Sequence, residues 1–415
     1  MKSAITYRRN DLLVESVRLE NLIRKVGTPV FVYSAGSILE RFEELKRSFF
    51  GRKALICYAV KANPSGAVCR LLGRAGAGAD VVSGGELARA RRASIAPNKI
   101  VFSGVGKTRE EMAAALRCGV KALNVESGEE LEELARVAKA CRKTAPVVVR
   151  VNPDVDAKTH RHITTGRAAN KFGVARREAF SLYRRAAGHR YLNPVGIQCH
   201  IGSQITKLAP YRLAIRTLVQ MVGDLRRGGI ILKHLDVGGG MGIDYGKESP
   251  FSAAEFGDAV KDELKSLPEL EILTEPGRFL VGEAGVLVSK VLYRKRGGGK
   301  SFIVIDASMT ELIRPALYGA QHEIVAVRAG RRAEKRVDVV GPVCETADTF
   351  AKGIRLPELK RGDLVAIKQA GAYGFSMSSQ YNSRPRPPEV LVRGGAYRIV
   401  RKRETMADLI RHETE

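Results

Sequence analysis

With 415 residues, of which 44% are hydrophobic and 27% charged, the chain has the composition of a globular protein with a substantial core, which excludes a disordered chain. No run approaches the ~18 apolar residues of a membrane span, and the N-terminus lacks the apolar segment of a signal peptide, so we expect a cytoplasmic protein without membrane contact. The net charge of +26 is spread in short basic clusters mixed with acids, which favours solvated surfaces over a nucleic-acid interface.

The first predicted region is a repeat that runs from residue 54 to about residue 275. Each unit has a short run rich in β-branched residues, a loop and a helical pattern, such as Gly128–Cys141 or Ala209–Arg227. Eight such units predict a parallel (β/α)8 TIM-like barrel over residues 34–278. Strand counting leaves an open doubly wound sheet as the alternative. The predicted strands are Ala54–Val60, Ala79–Val82, Lys99–Phe102, Ala122–Val125, Val147–Val151, Val195–Cys199, His234–Val237 and Glu271–Thr274.

The pattern changes after residue 279. Short alternating runs separated by Gly and Pro predict a second, C-terminal β domain over residues 279–415. The N-terminal segment 1–33 contains the strand-like run Pro29–Tyr33, which we expect to join this domain. Gly297–Gly299 has the composition of a hairpin turn. The predicted strands are Gly285–Tyr293, Ser301–Asp306, Arg336–Val340, Asp363–Lys368 and Tyr397–Arg401.

Polar residues and glycines occupy the positions around the ends of the eight predicted barrel strands. A barrel enzyme places its reactive groups at this rim, so the sequence predicts an active site there. Ser83 and Asp80 are suited either to capping the following helix or to contacting a bound cofactor, and Glu126, Ser103 and Arg150 suit a supporting role. The rim positions are Lys61, Asn63, Asp80, Ser83, Gly84, Ser103, Gly104, Glu126, Arg150, Asn152, His200, Gly202, Ser203, Gly238, Gly239, Gly240, Glu275, Gly277 and Arg278.

The rim chemistry favours a phosphate-bearing cofactor. Gly238–Gly240 follows strand seven, where backbone N–H groups of this fold hold phosphate. A Walker motif is excluded because Val101 stands where its first glycine belongs, and the dispersed histidines and cysteines contain no metal-binding spacing. A lysine, a carboxylate and a phosphate turn together suggest pyridoxal phosphate, because a lysine can bind its aldehyde as a Schiff base and a carboxylate can keep its ring nitrogen protonated.

The motifs around these residues resemble the diaminopimelate decarboxylases, pyridoxal-phosphate enzymes of the alanine-racemase-like fold. The resemblance runs from about residue 27 to residue 393. Ser308 and Thr310 depart from it, where Gly and Asn are expected, on a connecting turn. The motifs are Tyr58-Ala-Val-Lys-Ala-Asn63, Asp80-Val-Val-Ser-Gly-Gly-Glu86, His162-Ile-Thr-Thr-Gly166, His200-Ile-Gly-Ser-Gln204, Asp236-Val-Gly-Gly-Gly240, Glu275-Pro-Gly-Arg278, Ile313-Arg-Pro-Ala-Leu-Tyr318, Gly341-Pro-Val-Cys-Glu345 and Gly371-Ala-Tyr-Gly-Phe-Ser-Met-Ser-Ser379.

The resemblance implies a role for each matching residue. Lys61, His200 and Cys344 are the catalytic residues, with His200 against one face of the cofactor ring and Cys344 acting from the second subunit of a homodimer. The implied cofactor contacts are Lys61, Asp80, His200, Ser203, Gly238, Gly239, Gly240, Glu275, Gly277, Arg278 and Tyr373. The implied substrate contacts are Arg278, Arg314, Tyr318, Glu345 and Tyr373.

The implied substrate is meso-2,6-diaminopimelate, which would be decarboxylated to L-lysine. Its distal end carries a carboxylate and an ammonium group, for which Arg278 and Arg314 supply bidentate cations and Glu345 an anion. An ornithine or arginine decarboxylase has no distal carboxylate to bind, and leaving such groups unpaired costs about 1–3 kcal/mol each. A related basic amino acid or carboxynorspermidine decarboxylase and a non-catalytic homologue remain the alternatives.

Overall fold

The computed structural model describes residues 4–156, 171–246, 249–330 and 333–414. The motif at residues 162–166 therefore lies outside the described residues. The chain forms two compact units: one contains residues 1–40, 244–248 and 280–415, and the other residues 41–243 and 249–279.

The second unit, here called the barrel unit, is built on a closed parallel barrel. The eighth strand pairs with the first, Ile272–Thr274 against Ala54–Ile56, and this closure excludes the open doubly wound sheet. Each strand is short because it spans only the wall of the barrel. Both faces of each strand are buried, which explains the continuous Val, Ile and Leu runs. The strands are Ala54–Ala59, Gly78–Val81, Ile100–Phe102, Ala122–Val125, Ala145–Arg150, Leu192–Gln198, His234–Asp236 and Glu271–Thr274.

Helices follow the barrel strands with conventional start signals. Thr108 and Ser252 form capping boxes with Glu111 and Glu255, and Ser127 caps the helix that begins at Gly128. These caps fix where each loop ends, and so where the rim residues lie. The helices are Ala35–Ser48, which crosses the division at residue 40, Gly66–Arg74, Gly84–Arg92, Arg109–Cys118, Gly128–Ala140, Arg176–Ala187, Ala209–Arg227, Ala253–Glu263 and the short Arg278–Val281, with 3-10 turns at Val60–Ala62 and Pro97–Lys99.

The first unit, here called the β unit, has a three-stranded antiparallel sheet, Ile5–Arg8, Asp11–Val14 and Val17–Arg18, and a nine-stranded mixed sheet. The N-terminal strand Val30–Ser34 lies inside the larger sheet, between Gly285–Gly297 and Glu389–Arg393. The other strands are Lys300–Ile305, Ile324–Ala326, Glu334–Val340, Thr349–Pro357, Leu364–Ile367 and Ala396–Arg401; the helical segments are Leu19–Val26, Arg314–Tyr318, Met406–Ile410 and the 3-10 turns Phe375–Met377 and Tyr381–Ser383.

The observed division differs from the expected bounds of 1–33, 34–278 and 279–415. Residues 34–40 and 244–248 belong to the β unit, and residue 279 belongs to the barrel unit. Residues 244–248 include Tyr245, whose ring packs on Arg314 and His322 of the β unit. The local sequence gives no sign that residues 244–248 belong to a different unit from the barrel strand that precedes them.

Candidate active site

Lys61 lies in a fixed turn directly after the first barrel strand. The hydroxyl of Tyr58 donates to the carbonyl of Asn63 at 2.9 Å, and the Asn63 side chain accepts from the Ser65 N–H at 3.1 Å. The Nζ of Lys61 lies 2.5 Å from Oδ2 of Asp80, whose side chain is fully buried, while 37% of the Lys61 side chain is exposed. The amine is thus held at one point on the rim and stays open to a small molecule.

The two interpretations of the second strand's loop are resolved by these contacts. Ser83 is the N-cap of helix Gly84–Arg92 and accepts from the Glu86 N–H at 3.2 Å. Asp80 caps no helix and instead pairs with Lys61. The serine therefore acts in the structure as a helix cap, and the aspartate as the partner of the reactive amine.

Glu275 follows the eighth strand and is 4% exposed. Its Oε2 accepts from Nε2 of Gln198 at 3.2 Å, whereas its Oε1 lacks a hydrogen-bond donor in the described part of the chain. Burial raises the pKa of Glu275 well above its usual value, and the nearby carboxylates of Asp236 and Asp80 raise it further. A buried acid with an unused oxygen is suited to pair with a ring N–H.

His200 follows the sixth strand, and its Nδ1 accepts the N–H of Gly239 at 3.1 Å. Burial lowers the pKa of His200 well below its usual value, and the cations of Arg150 and Lys61 lower it further. The imidazole is therefore neutral with its proton on Nε2. A neutral, oriented ring is suited to lie flat against an aromatic cofactor without adding charge.

The glycine turn after strand seven is packed so closely that no side chain fits. A Cβ at Gly238 would lie 2.3 Å from the Cys199 carbonyl, one at Gly239 2.0 Å from the Glu275 carbonyl, and one at Gly240 2.1 Å from the Gly202 carbonyl. The loops of strands six, seven and eight therefore meet backbone to backbone, which requires glycine at all three positions.

The hydrogen bonds of this turn correct part of the expected phosphate site. The N–H of Gly238 donates to Oδ1 of Asp236 at 2.8 Å, and that of Gly239 donates to His200. These two amides orient the aspartate and the histidine and do not point freely at an anion, because each is already used by a protein acceptor. Gly240 is the member of the turn left for a phosphate.

Ser203 and Arg278 come together at the same rim. Nη2 of Arg278, a residue 6% exposed, donates to Oγ of Ser203 at 3.1 Å. Gly277 packs against the lysine turn, since a Cβ there would lie 2.9 Å from that of Ala62. A hydroxyl and a guanidinium form a set of donors that suits a phosphate. Together with an amine, an orphaned buried carboxylate oxygen and a side-chain-free turn, these donors fit pyridoxal phosphate.

The supporting rim residues are occupied by one another. The carboxylate of Glu126 accepts from Arg150 at 3.1 Å and from the Gly173 N–H at 2.9 Å. Ser103 accepts from Asn124 at 3.0 Å. These contacts give Glu126, Arg150 and Ser103 the supporting role expected from the sequence.

In the β unit, Arg314 begins the helical turn Arg314–Tyr318 and is 5% exposed. Its Nη1 donates to Nε2 of His322 at 2.9 Å, and the other ring nitrogen of His322 donates to the Lys368 carbonyl at 2.9 Å. The guanidinium lies 4.7 Å from the ring centre of Tyr245. The His322 imidazole and the aromatic face of Tyr245 therefore orient the Arg314 guanidinium.

Cys344 and Glu345 lie in an exposed stretch of the β unit that is held at its base. The buried carboxylate of Asp348 accepts the N–H of Val343 at 2.8 Å and that of Met309 at 2.7 Å, and the Cys344 N–H donates to Asn382 at 3.2 Å. Tyr318 and Tyr373 are partly exposed, and Tyr373 has a left-handed backbone with φ of 56°. The thiol and carboxylate are therefore presented outward on a fixed loop.

Sequence reasoning gave no role to five residues that hold these groups: Gln198, Gln204, Asp236, Tyr245 and His322. Gln204 and Asp236 lie within the motifs given above, and Gln198 and Asp236 are the last residues of their strands, two positions before the rim residues His200 and Gly238. Their position at the ends of barrel strands was the sequence signal that could have identified Gln198 and Asp236. Tyr245 and His322 had none.

The described ranges contain no group of three or more His, Cys, Asp or Glu side chains arranged to hold a metal. None of the helices described has both the length and the apolar character needed to cross a membrane.

Comparisons with known proteins show which family the chain resembles. Residues 35–282 match the family model described as pyridoxal-dependent decarboxylase, pyridoxal binding domain. The chain is 47% identical to diaminopimelate decarboxylase of Pseudomonas aeruginosa, covering 99% of this chain and 98% of that one, and 46% identical to that of Aquifex aeolicus, covering 96% and 95%. The crystal structure of diaminopimelate decarboxylase from Helicobacter pylori complexed with L-lysine superposes with a TM-score of 0.93 at 42% identity, covering 95% of this chain and 99% of that one.

Proposed function

Because this chain belongs to the diaminopimelate decarboxylase family of pyridoxal-dependent enzymes, we propose that it converts meso-2,6-diaminopimelate to L-lysine and CO2. The observation that carries the proposal is the meeting of the Lys61–Asp80 pair, the buried Glu275 and the glycine turn at one barrel opening. Bound pyridoxal phosphate supplies an aldehyde for the substrate amine and a ring that withdraws electrons from the reacting carbon.

The barrel unit holds and tunes the cofactor. Lys61 would hold the aldehyde of pyridoxal phosphate, and Asp80 keeps the Lys61 amine in place. Glu275 would accept the ring N–H, and the neutral His200 would lie against a ring face without adding charge. Gly240, Gly277, Arg278 and Ser203 would surround the phosphate, and the family resemblance adds Tyr373 as a cofactor contact.

The β unit provides most of the groups that would recognise the substrate, and Arg278 of the barrel unit adds another. Arg314, oriented by His322 and Tyr245, binds a substrate carboxylate, and Glu345 binds the distal ammonium group. Arg278, Tyr318 and Tyr373 complete the substrate contacts. Two arginines and an acid match a molecule with an amino acid group at both ends, which is the basis for choosing diaminopimelate over a simple diamine precursor.

Cys344 donates the proton that replaces the lost carboxylate. Its loop is exposed and fixed by Asp348, so the thiol is available to a second copy of the chain. We place it in the site of the partner subunit of a cytoplasmic homodimer. The proton passes from the thiol to the carbon that has lost CO2, which yields the amino acid product.

A substrate panel tests the specificity. CO2 release is measured from meso-diaminopimelate, ornithine, arginine and carboxynorspermidine, with Arg314→Leu as the variant and Lys207→Ala as an exposed control. We expect reaction with diaminopimelate alone and a loss of about 10- to 100-fold in kcat/KM for Arg314→Leu, because the substrate carboxylate loses a charged partner. Release from ornithine but not from diaminopimelate would transfer the chain to the related decarboxylases.

A spectrum tests catalysis separately from specificity. The purified protein should absorb near the visible edge, and borohydride or Lys61→Ala should abolish that band while Lys207→Ala retains it. A chain that binds no pyridoxal phosphate would be a non-catalytic homologue.

A further inference from the structure

Three carboxyl groups lie buried beneath the barrel opening. Asp80 and Asp236 are at most 1% exposed, and Glu275 is 4% exposed. One of these acids has an obvious cation, since Asp80 pairs with Lys61 at 2.5 Å. Within the described ranges, neither Asp236 nor Glu275 forms an ion pair with a lysine or arginine, so another interaction must offset their charge. Further charged or titratable groups near this cluster are the Glu86 carboxyl, the Arg150 guanidinium, the Lys121 amine and the Cys57 and Cys199 thiols.

Asp236 and Glu275 are brought together by adjacent strands. Asp236 ends strand seven, Glu275 directly follows strand eight, and the Glu275 N–H donates to the Gly238 carbonyl at 2.8 Å. Gln198 ends strand six beside Asp236 and donates to Glu275. The backbone thus places the two carboxyl groups side by side behind the glycine turn.

Each of these carboxyl groups has one oxygen bound and one without a donor. Oδ1 of Asp236 accepts from Gly238 and Oε2 of Glu275 accepts from Gln198, while Oδ2 and Oε1 have no donor within the described ranges. The two carboxyl groups lie close enough for each to act on the pKa of the other. Two ionised carboxylates repel each other in a buried site, whereas one proton shared between them gives both unbound oxygens a partner.

The electrostatics agree with this requirement. Burial raises the pKa of Asp236 to about 7, opposed by the Gly238 hydrogen bond, and burial together with Asp236 and Asp80 raises the pKa of Glu275. Two neighbouring buried carboxyl groups do not both ionise, because their negative charges repel each other. The pair therefore titrates as a unit.

We propose that Asp236 is a positioning residue whose carboxyl group shares one proton with Glu275, and that this proton fixes Glu275 and the Gly238 turn in place before the cofactor binds. Asp236 bridges the two parts, because one oxygen holds the Gly238 amide and the other holds Glu275 through the proton. This bridge forms only in the folded barrel, because Asp236 and Glu275 lie far apart in the sequence.

The proton also sets the charge that the cofactor meets. The opposite charges of Lys61 and Asp80 cancel each other, and the Asp236–Glu275 pair carries one negative charge. A cationic ring nitrogen neutralises that charge when it binds Glu275. This consequence depends on the cofactor assignment of the proposed function, whereas the shared proton itself does not.

Infrared difference spectroscopy tests the shared proton in the cofactor-free full-length chain. The carbonyl stretch of a protonated carboxyl group is recorded below and above neutral pH for the wild type, Asp236→Asn, Glu275→Gln and the exposed control Asp258→Asn. We expect a band near neutral pH that both site variants lose and the control keeps. A wild type without the band, or a band that persists in both site variants, would overturn the proposal.

Equilibrium dialysis of pyridoxal phosphate tests the positioning role. The amide of Asp236→Asn retains an acceptor for Gly238 and gains a donor for Glu275, so we expect affinity within about threefold of the wild type. Asp236→Ala leaves both partners unpaired and should bind about tenfold more weakly or worse. Wild-type affinity in Asp236→Ala would contradict the role, and equal losses in both variants would do so as well, since the amide would then fail to replace the protonated acid.

Discussion

At the scale of single residues, the glycine turn shows how a missing side chain can decide a site. Gly239 is required by packing rather than by backbone conformation, because the Glu275 carbonyl occupies the position that a Cβ at residue 239 would need. The same contact sets the position of the acid that we assign to the ring nitrogen.

Gly239→Ala should therefore move the Glu275 loop. The added methyl group must displace backbone, which costs about 1–3 kcal/mol of unfolding free energy, and cofactor affinity should fall about tenfold or more. Chemical denaturation and dialysis measure the two effects. Gly106→Ala is the matched control, because a Cβ at Gly106 meets nothing within 4 Å. Equal behaviour of the two variants would show that the turn tolerates a side chain.

The pH dependence of stability is a second prediction at this scale. The pKa of Asp236 rises to about 7 on folding from about 3.9 in the unfolded chain, so the folded protein binds more protons between these values. Its contribution to the unfolding free energy must then fall as pH rises through this window, by up to about 1.4 kcal/mol per pH unit. The unfolding free energy of the cofactor-free wild type should therefore fall more steeply between these pH values than that of Asp236→Asn. Parallel plots of unfolding free energy against pH for the two proteins would refute the prediction.

At the scale of elements, the rim depends on clamps between successive loops. The side chain of Gln204 donates to the Ile243 carbonyl at 2.6 Å and accepts the Ile243 N–H at 3.3 Å. The Ile205 N–H adds a bond to the Gly240 carbonyl at 2.9 Å. The loops of strands six and seven are thereby joined just beyond the glycine turn.

Gln204→Ala should loosen this clamp. Two backbone groups of Ile243 lose their partner, which should lower the unfolding free energy by about 1–2 kcal/mol and weaken cofactor binding. Lys207→Ala, three residues away and exposed, should change neither quantity. Unchanged dialysis and denaturation curves in Gln204→Ala would mean that the backbone holds the loops without the side chain.

Lys107 joins the third and fourth strands in a similar way. Its buried Nζ donates to the carbonyls of Gly104 and Asn124 at 2.7 and 2.6 Å and lies 2.5 Å from the Glu130 carboxylate. The segment from Gly104 to Thr108, which resembles the end of a nucleotide-binding loop, therefore uses its lysine inside the protein.

Lys107→Ala should destabilise the fold by about 3–5 kcal/mol, because it leaves Glu130 buried without a cation. Thermal or chemical denaturation measures the loss, with the exposed Lys139→Ala as control. A change below about 1 kcal/mol would indicate that the Glu130 carboxyl is already neutral in the folded protein.

At the scale of the whole molecule, many of the basic side chains behind the net charge of +26 lie in ion pairs. In the basic clusters of the sequence, Arg185 lies 2.6 Å from Glu132, Arg294 3.1 Å from Glu358 and Arg401 2.6 Å from Glu389. These three arginine side chains are 33–52% exposed, as expected of solvated surface.

The proposed assembly makes a prediction of its own. Lys61→Ala and Cys344→Ala should each be inactive alone, and mixing them under conditions of subunit exchange should restore activity. Half of the dimers are then mixed and each has one intact site, so about a quarter of the wild-type CO2 release is expected. Proof of exchange by mass-tagged subunits is the control. Exchange without recovery would place both residues in the site of a single subunit.

The sequence by itself determined the barrel and most of the rim. Eight runs of β-branched residues mark the barrel strands, two of them, Ala122–Val125 and Glu271–Thr274, with the observed bounds. Lys61, His200 and Glu275 were predicted because parallel strands bring their C-terminal ends to one rim. In the β unit the edge strand Thr349–Pro357 and the strand Glu389–Arg393 were missed, since the first contains Gly353 in a left-handed conformation and the second begins with a buried Glu389.

Only the tertiary structure decided how the site residues are held. The pairing of strands six, seven and eight places Gln198, Asp236 and Glu275 together, although they lie far apart in the chain. Tyr245 meets Arg314 and His322 because a short loop segment belongs to the β unit. Local sequence specifies strands and turns through short-range sterics and periodicity, whereas contacts among distant buried polar groups arise only when the barrel closes and removes water from them.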